Sequence, residues 1–206
     1  MKTPKYSIVV PVYNEEESIP ELSGRLRETM DQLDGPAETV LVDDGSKDSS
    51  YRLMLDAHNT DPRFKVIQLS RNFGHQLAIT AGMDHASGQA VVVMDADLQD
   101  PPHVILEMAA KWQEGYEVVY AVRQRRPGET KFKTATAATF YSLLRRTASI
   151  EQTVDVGDFR LVDRKALDAF LRMREHNRYV RGMFSWIGFR QAAVPYDREP
   201  RHAGSR

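Results

Sequence analysis

The chain has no cysteine among its 206 residues. Disulfides and thiolate metal centres are excluded, and a reducing compartment fits that composition. It also lacks any apolar run of about 18 residues, so no stretch is expected to span a bilayer. The opening MKTPKYSIVVPVYNEE has no signal-peptide form, because its apolar run is short and ends in acids. No G-x-G-x-x-G follows the first strand-like run and no G-x-x-x-x-G-K-[ST] occurs, which removes the glycine-lined phosphate sites. Without a G-x-S-x-G elbow, a serine hydrolase of that type has no support either. The six histidines form no metal-ligand spacing. His75 and His85 are expected to be packing or surface groups, and His103, beside an acidic loop, is an outside candidate.

What is present suits one globular unit: 41% hydrophobic and 28% charged residues, with no linker-like tract. We expect a single domain over residues 1–206. The net charge of −1 conceals two unlike halves. Residues 1–120 hold 10 Lys and Arg against 20 Asp and Glu, whereas residues 121–206 hold 18 against 9. This pattern predicts a cation site in the first part and an anion-facing surface in the second, with solvated charge as the plainer explanation.

Hydrophobic periodicity predicts a βα rhythm. YSIVVPV, ETVLVDD, FKVIQLS, AVVVMD and EVVYAVR read as strands. Helices are expected over residues 18–33, from about 50, over 74–86 and over 104–114, the last with Asp100 as its cap and Pro101 or Pro102 in its first turn. After residue 123 the rhythm breaks. A helix at 131–147, an extended piece near DFRLV, helices near 164–173 and 178–187, and a strand at RQAAVPY are expected. Continuous Val and Ile runs argue for strands covered on both faces, hence a largely parallel sheet between helices.

In such a sheet the ligand crevice lies beyond the carboxyl ends of the strands. Those ends carry PVYNEEE, VDDGSKDSS, SRNFGH and DADLQD. VVVMDADLQDPP is the most informative of them, since an apolar strand that runs into Asp95 and Asp97 needs a positive partner. A basic residue, a shared proton or a metal ion would serve. Oxygen ligands of this kind suit Mg²⁺ or Mn²⁺, which leave positions for substrate phosphates.

IVVPVYNEEESI, VLVDDGSKDSS, SRNFGHQLAITAGMDHASGQAVVVMDADLQDPP and VGDFRLVDRKAL together resemble family 2 glycosyltransferases of the polyprenyl-phosphate type. Dolichol-phosphate mannose synthases and bacterial undecaprenyl-phosphate glucosyltransferases are of this type. The resemblance implies an α/β nucleotide-diphospho-sugar transferase (GT-A) fold with a mostly parallel sheet flanked by helices. It implies a nucleotide- and metal-binding half at 1–123 and an acceptor- and membrane-facing half at 124–206. Pro11, Tyr13, Glu15, Val42 and Asp44 match the family's base and ribose pocket. Asp95, Ala96, Asp97 and Gln99 match its metal and diphosphate motif, with Asp95, Asp97 and Gln99 as the expected metal ligands. Arg123 matches an arginine that faces the diphosphate; Asp158 is expected to set the sugar or acceptor, and Arg160 to read an anion.

The implied activity is inverting, Mg²⁺- or Mn²⁺-dependent transfer of a hexose from a nucleotide-diphosphate sugar to a polyprenyl monophosphate. UDP-glucose is the preferred donor and GDP-mannose the next. A transferase with a polysaccharide or protein acceptor, a nucleotidyltransferase and an inactive donor-binding domain are the rivals. Relatives continue past R-x-x-G-x-[ST]-K-Y into membrane helices; Arg201 and Gly204 fit its opening, and the Lys-Tyr is absent. A truncated catalytic domain is therefore expected, at the cytoplasmic face of the membrane. In KFKTATAATFYSLLRRTAS, Phe132, Phe140, Leu143 and Leu144 lie near one helical face, with Lys131, Lys133, Arg145 and Arg146 at its ends. Either a core helix or an interfacial helix against anionic lipid fits this pattern. No nucleic acid is expected as a partner, and the oligomeric state, a homo-oligomer included, stays open.

Overall fold

A computed structural model of the protein describes residues 3–123, 156–173 and 180–200. Seven strands form one sheet in the order β3-β2-β1-β4-β6-β5-β7. They are β1 (Tyr6–Val12), β2 (Ala37–Asp43), β3 (Phe64–Gln68), β4 (Ala90–Val93), β5 (Val118–Arg123), β6 (Val156–Asp163) and β7 (Gln191–Tyr196). The first four pair in parallel, as do β5 and β7. β6 runs antiparallel to both of its neighbours, β4 and β5. Six strands thus share a direction and β6 opposes them, so the sheet is mixed but mostly parallel, as expected. The extended piece near DFRLV is this eight-residue strand, and its place between β4 and β5 is what local pattern could not supply.

β1, β2 and β4 are buried along their whole length, which matches their unbroken apolar runs. Alternate residues serve opposite faces. Ile8, Val10, Leu41 and Val92 pack with Leu22 and Leu26 of α1 (Ile19–Gln32), Met54 of α2 (Ser50–Thr60), and Ile105 and Met108 of α4 (Val104–Gln113). Val9, Val40, Val91 and Val93 pack on the other side with Ile79 and Met83 of α3 (His75–His85). Leu167 and Phe170 of α5 (Arg164–Arg172) and Phe184 of α6 (Val180–Trp186) complete that layer. Phe170 and Phe184 stack with centroids 4.4 Å apart. Each such buried aliphatic or aromatic side chain contributes roughly 1.5–3 kcal/mol.

Two glycines set the close approaches that shape the rim. A Cβ at Gly82 would lie 2.3 Å from Val9 Cγ1, so its hydrogen lets α3 settle onto β1 and β2. Gly45, at φ 71°, would place a Cβ 2.5 Å from the Arg71 carbonyl carbon, so the β2 and β3 loops touch there.

The predicted helices at 164–173 and 178–187 appear as α5 and α6 with slightly narrower bounds. α4 differs at its start: His103 occupies the N-cap and Asp100 does not cap the helix. The predicted helix at 131–147 lies outside the described residues, as do Arg201 and Gly204. Among the described residues no helix is long and apolar enough to cross a membrane.

Candidate active site

Because β6 is antiparallel, its first residues join the carboxyl ends of the other strands at one rim. Val93 pairs with Arg160, which brings Asp158 to the level of Asp95, just past β4. His75, at the start of α3, joins them: its Nε2 lies 3.2 Å from Asp158 Oδ2 and 3.4 Å from Asp95 Oδ1. Gln76 Nε2 donates to Asp158 Oδ2 at 3.3 Å, and Gln76 Oε1 accepts from the Val180 amide at 3.2 Å. His75 is therefore part of the carboxylate cluster and neither packing nor plain surface. Its signal in the sequence was position alone, in the loop beyond the third strand. His85, by contrast, contacts the Ala81 carbonyl on an exposed helix face, as a surface group would.

Asp95 is the strained member of this cluster. Its Oδ1 is buried and has no hydrogen-bond partner among the described residues. Burial pushes its carboxyl up to about 6; His75 opposes the change, and the charges of Asp100, Asp97 and Asp158 add to it. Asp97 and Gln99, both half-buried, sit on a tight turn in which the Gln99 amide donates to Asp97 Oδ1 at 3.1 Å. The turn passes through Leu98 at φ 59°. A hard cation would satisfy Asp95 Oδ1, which faces His75 Nε2 at 3.4 Å without a hydrogen bond, and Asp97 and Gln99 offer further oxygens. Among the described residues no group of three or more His, Asp or Glu forms a preassembled cage.

The residues expected to line a nucleotide pocket lie at the β1 and β2 ends. Pro11 and Val42 are cross-strand partners and both are buried, so they pack the strand ends. Tyr13 is 42% exposed, with its ring available to a flat ligand. Glu15 is fixed by its amide to Ser50 Oγ at 2.8 Å and by Ser18 Oγ, which donates to Oε2 at 3.0 Å. Asp44 is buried, with its two oxygens accepting the Phe73 and Gly74 amides at 2.7 and 2.9 Å. Asp44 thus ties the β2 loop to the β3 loop. Its neighbour Asp43, fully buried, keeps Oδ2 without a hydrogen-bond partner among the described residues, a feature the sequence did not single out. Ala96 is buried beneath the turn.

Arg123 closes the opposite side. Its Nε donates to the Tyr196 hydroxyl at 3.2 Å, and its Nη2 lies 3.9 Å from Asp100. Burial works against its charge, but Tyr196, Asp100 and Asp95 outweigh it and hold the guanidinium protonated. Arg160 lies deeper than Asp158 and Arg123. It is 3% exposed, donates to the Gly157 and Asp158 carbonyls at 2.9 and 3.2 Å, and lies over the Phe184 ring. Register explains this: Arg160 pairs within the sheet, two residues inside the rim, and its charge serves the β6 backbone that carries Asp158.

Comparison with known proteins agrees with this architecture. The sequence profile of glycosyl transferase family 2 matches residues 7–171. An uncharacterized glycosyltransferase of Bacillus subtilis is 58% identical over 97% of the chain, and a bactoprenol glucosyl transferase of Shigella phage SfV is 39% identical over 97%. The chain spans 62% and 65% of the lengths of these two relatives. A mannosyltransferase from Pyrobaculum calidifontis, solved with GDP-Man and Mn²⁺, superposes with a TM-score of 0.66 at 21% identity, covering 95% of this chain and 56% of that one. Glucosyl-3-phosphoglycerate synthase from Mycobacterium tuberculosis gives 0.62 at 19% identity, covering 98% and 73%. With a GT-A-like sheet and a profile match over most of its length, the chain belongs to glycosyl transferase family 2.

Proposed function

We propose that this chain handles donor and reacting centre in the transfer of a hexose from a nucleotide-diphosphate sugar to a polyprenyl monophosphate, with inversion at the anomeric carbon. UDP-glucose is the preferred donor and GDP-mannose the next. The observation that carries the reading is the meeting of Asp95 and Asp158, from oppositely directed strands, on either side of His75. The relatives named bactoprenol glucosyl transferase support a lipid-phosphate acceptor.

The residues divide the task by position. Tyr13, Glu15 and the β2 end line the base and ribose side, while Asp95, Asp97 and Gln99 would hold Mg²⁺ or Mn²⁺ against the donor diphosphate. When bound, such an ion neutralises the departing nucleoside diphosphate. Arg123, held protonated beside Asp100, faces the same leaving group from the β5 end. Asp158 stands where the sugar and acceptor would meet. A phosphate acceptor is already ionised near neutral pH, so Asp158 is assigned to orientation and not to proton abstraction. Attack by the acceptor oxygen on the face opposite the leaving diphosphate inverts the anomeric centre. We assign residues 1–123 to the donor and metal and the remainder to the acceptor, at the cytoplasmic face of the membrane.

The test is transfer from radiolabelled UDP-glucose, GDP-mannose and other sugar nucleotides to undecaprenyl phosphate in detergent, with Mn²⁺ or EDTA. Label in the lipid phase, lost with EDTA, is expected. Label appearing only in a polysaccharide or protein acceptor, or release of pyrophosphate in place of nucleoside diphosphate, would overturn the reading.

A further inference from the structure

Asp100 is fully buried, yet it does not cap α4. Its Oδ1 accepts the Tyr196 hydroxyl, and the same oxygen lies 3.9 Å from Arg123 Nη2 and 3.7 Å from Arg198 Nε. Tyr196 is the cross-strand partner of Arg123 on the last rung of the β5–β7 pair. Its ring, 5% exposed, stands edge-on to Phe159 at 5.9 Å. Its oxygen therefore does two things: it accepts from Arg123 Nε and donates to Asp100. On its other side, Arg123 Nη2 occupies the space beside Gly157, where a Cβ would lie only 3.2 Å away. The guanidinium is thus wedged against the strand end that carries Asp158.

A buried carboxylate is a costly way to hold a turn, because desolvation penalises it unless cations and donors compensate. A neutral side chain would serve if packing were the sole need. What the charge adds is direction. It draws two guanidiniums and orients the phenol, leaving Arg123 tethered at Nε with a third of its side chain exposed. The chain beyond β7 repeats the attachment: the Glu199 amide donates to the Gln99 carbonyl at 3.0 Å, and the Glu199 carboxylate meets Arg25.

We infer that Asp100 and Tyr196 form a positioning pair that fixes Arg123 relative to the Asp95–Gln99 turn, so that the arginine and the acidic turn present one site to the donor diphosphate. This rests on the assignment of Arg123 to that diphosphate. Neither residue of the pair need touch substrate; each acts through Arg123.

The experiment is calorimetric binding of UDP and UMP, with GDP and GMP in parallel, in the presence of Mn²⁺. The quantity read is the preference for diphosphate over monophosphate. Tyr196→Phe keeps the ring against Phe159 and is expected to lower that preference at least five-fold while leaving monophosphate affinity unchanged. Arg123→Lys should produce the same loss, and the double variant should fall no further than the single ones. Asp100→Asn, which retains an acceptor for Tyr196 but drops the charge, should lower the preference likewise and supplies the test if Tyr196→Phe does not fold. An unchanged preference in the folded variants, or losses that multiply in the double variant, would overturn the pair. A wild-type chain that prefers the diphosphate but labels no lipid phosphate would overturn the proposed acceptor alone.

Discussion

His75 Nε2 lies 3.2 Å from Asp158 Oδ2, joining the first turn of α3 to the start of a strand 83 residues later. The same nitrogen faces Asp95, so one side chain spans two carboxylates whose strands run in opposite directions. Replacing it by alanine leaves those carboxylates facing each other. His75→Ala is expected to lower kcat at least ten-fold and to lower the Tm by a few degrees in metal-free buffer at pH 7.5. Mn²⁺ should recover most of the Tm, because a cation between the two carboxylates offsets their mutual repulsion. A variant with wild-type kcat would remove His75 from the site.

Asp95 gives the protein a pH dependence with a definite sign. Its folded-state value, about 6, lies above the ordinary 3.8, so the folded state binds this proton more tightly than the unfolded chain. The associated stability is fully present below pH 3.8 and is lost as pH rises through about 6. At about 1.4 kcal/mol per pH unit, and with part of the carboxylate exposed, the loss is on the order of 2 kcal/mol. Asp95→Asn removes it. In EDTA, the variant should gain on the wild type between pH 4.5 and 6.5 and hold its advantage above that range. It should also lose transfer activity and the thermal shift with Mn²⁺. Melting curves whose difference is flat with pH would contradict the assignment.

The carboxyl-end loops were legible because apolar strands ending in acids leave few physical solutions, and the resemblance then attached roles to Tyr13, Asp95 and Arg123. The direction and place of β6 were not legible, because VGDFRLVD carries no local mark of which strands it will separate. The burial of Arg160 was not legible for the same reason: its place inside the sheet follows only once the pairing with Val93 is known. Asp100 shows how a local rule can lose to distant partners. Asp-Pro-Pro suits a helix start, but Tyr196, 96 residues away, holds the carboxylate in the interior.

Asp44 supports a prediction about the rim itself. Its two oxygens accept the amides of Phe73 and Gly74, the residues just before α3. Asp44→Asn replaces one acceptor with a donor that faces an N–H. Leaving a buried amide without its partner costs about 1–3 kcal/mol. The expected result is a matching loss in denaturant stability and faster hydrogen exchange at Phe73 and Gly74. Unchanged exchange at those two amides would show that Asp44 does not hold the loop.

The depth at which α3 sits decides where His75 and Gln76 stand, and Gly82 sets that depth. An alanine at 82 would bring its Cβ to 2.3 Å from Val9 Cγ1 and 3.0 Å from Val42 Cγ2, so helix or sheet must move. Overpacking of this kind costs roughly 1–3 kcal/mol. Lifting α3 also draws His75 away from Asp158, so Gly82→Ala is expected to lower kcat beyond what its stability loss explains at 20 °C. Val9→Ala in the same chain removes the closest clash. If helix depth is the cause, the double variant should recover kcat more fully than stability, since the truncated Val9 is itself a buried core residue. Should the double variant regain stability but not kcat, the position of His75 would not depend on how closely α3 meets β1.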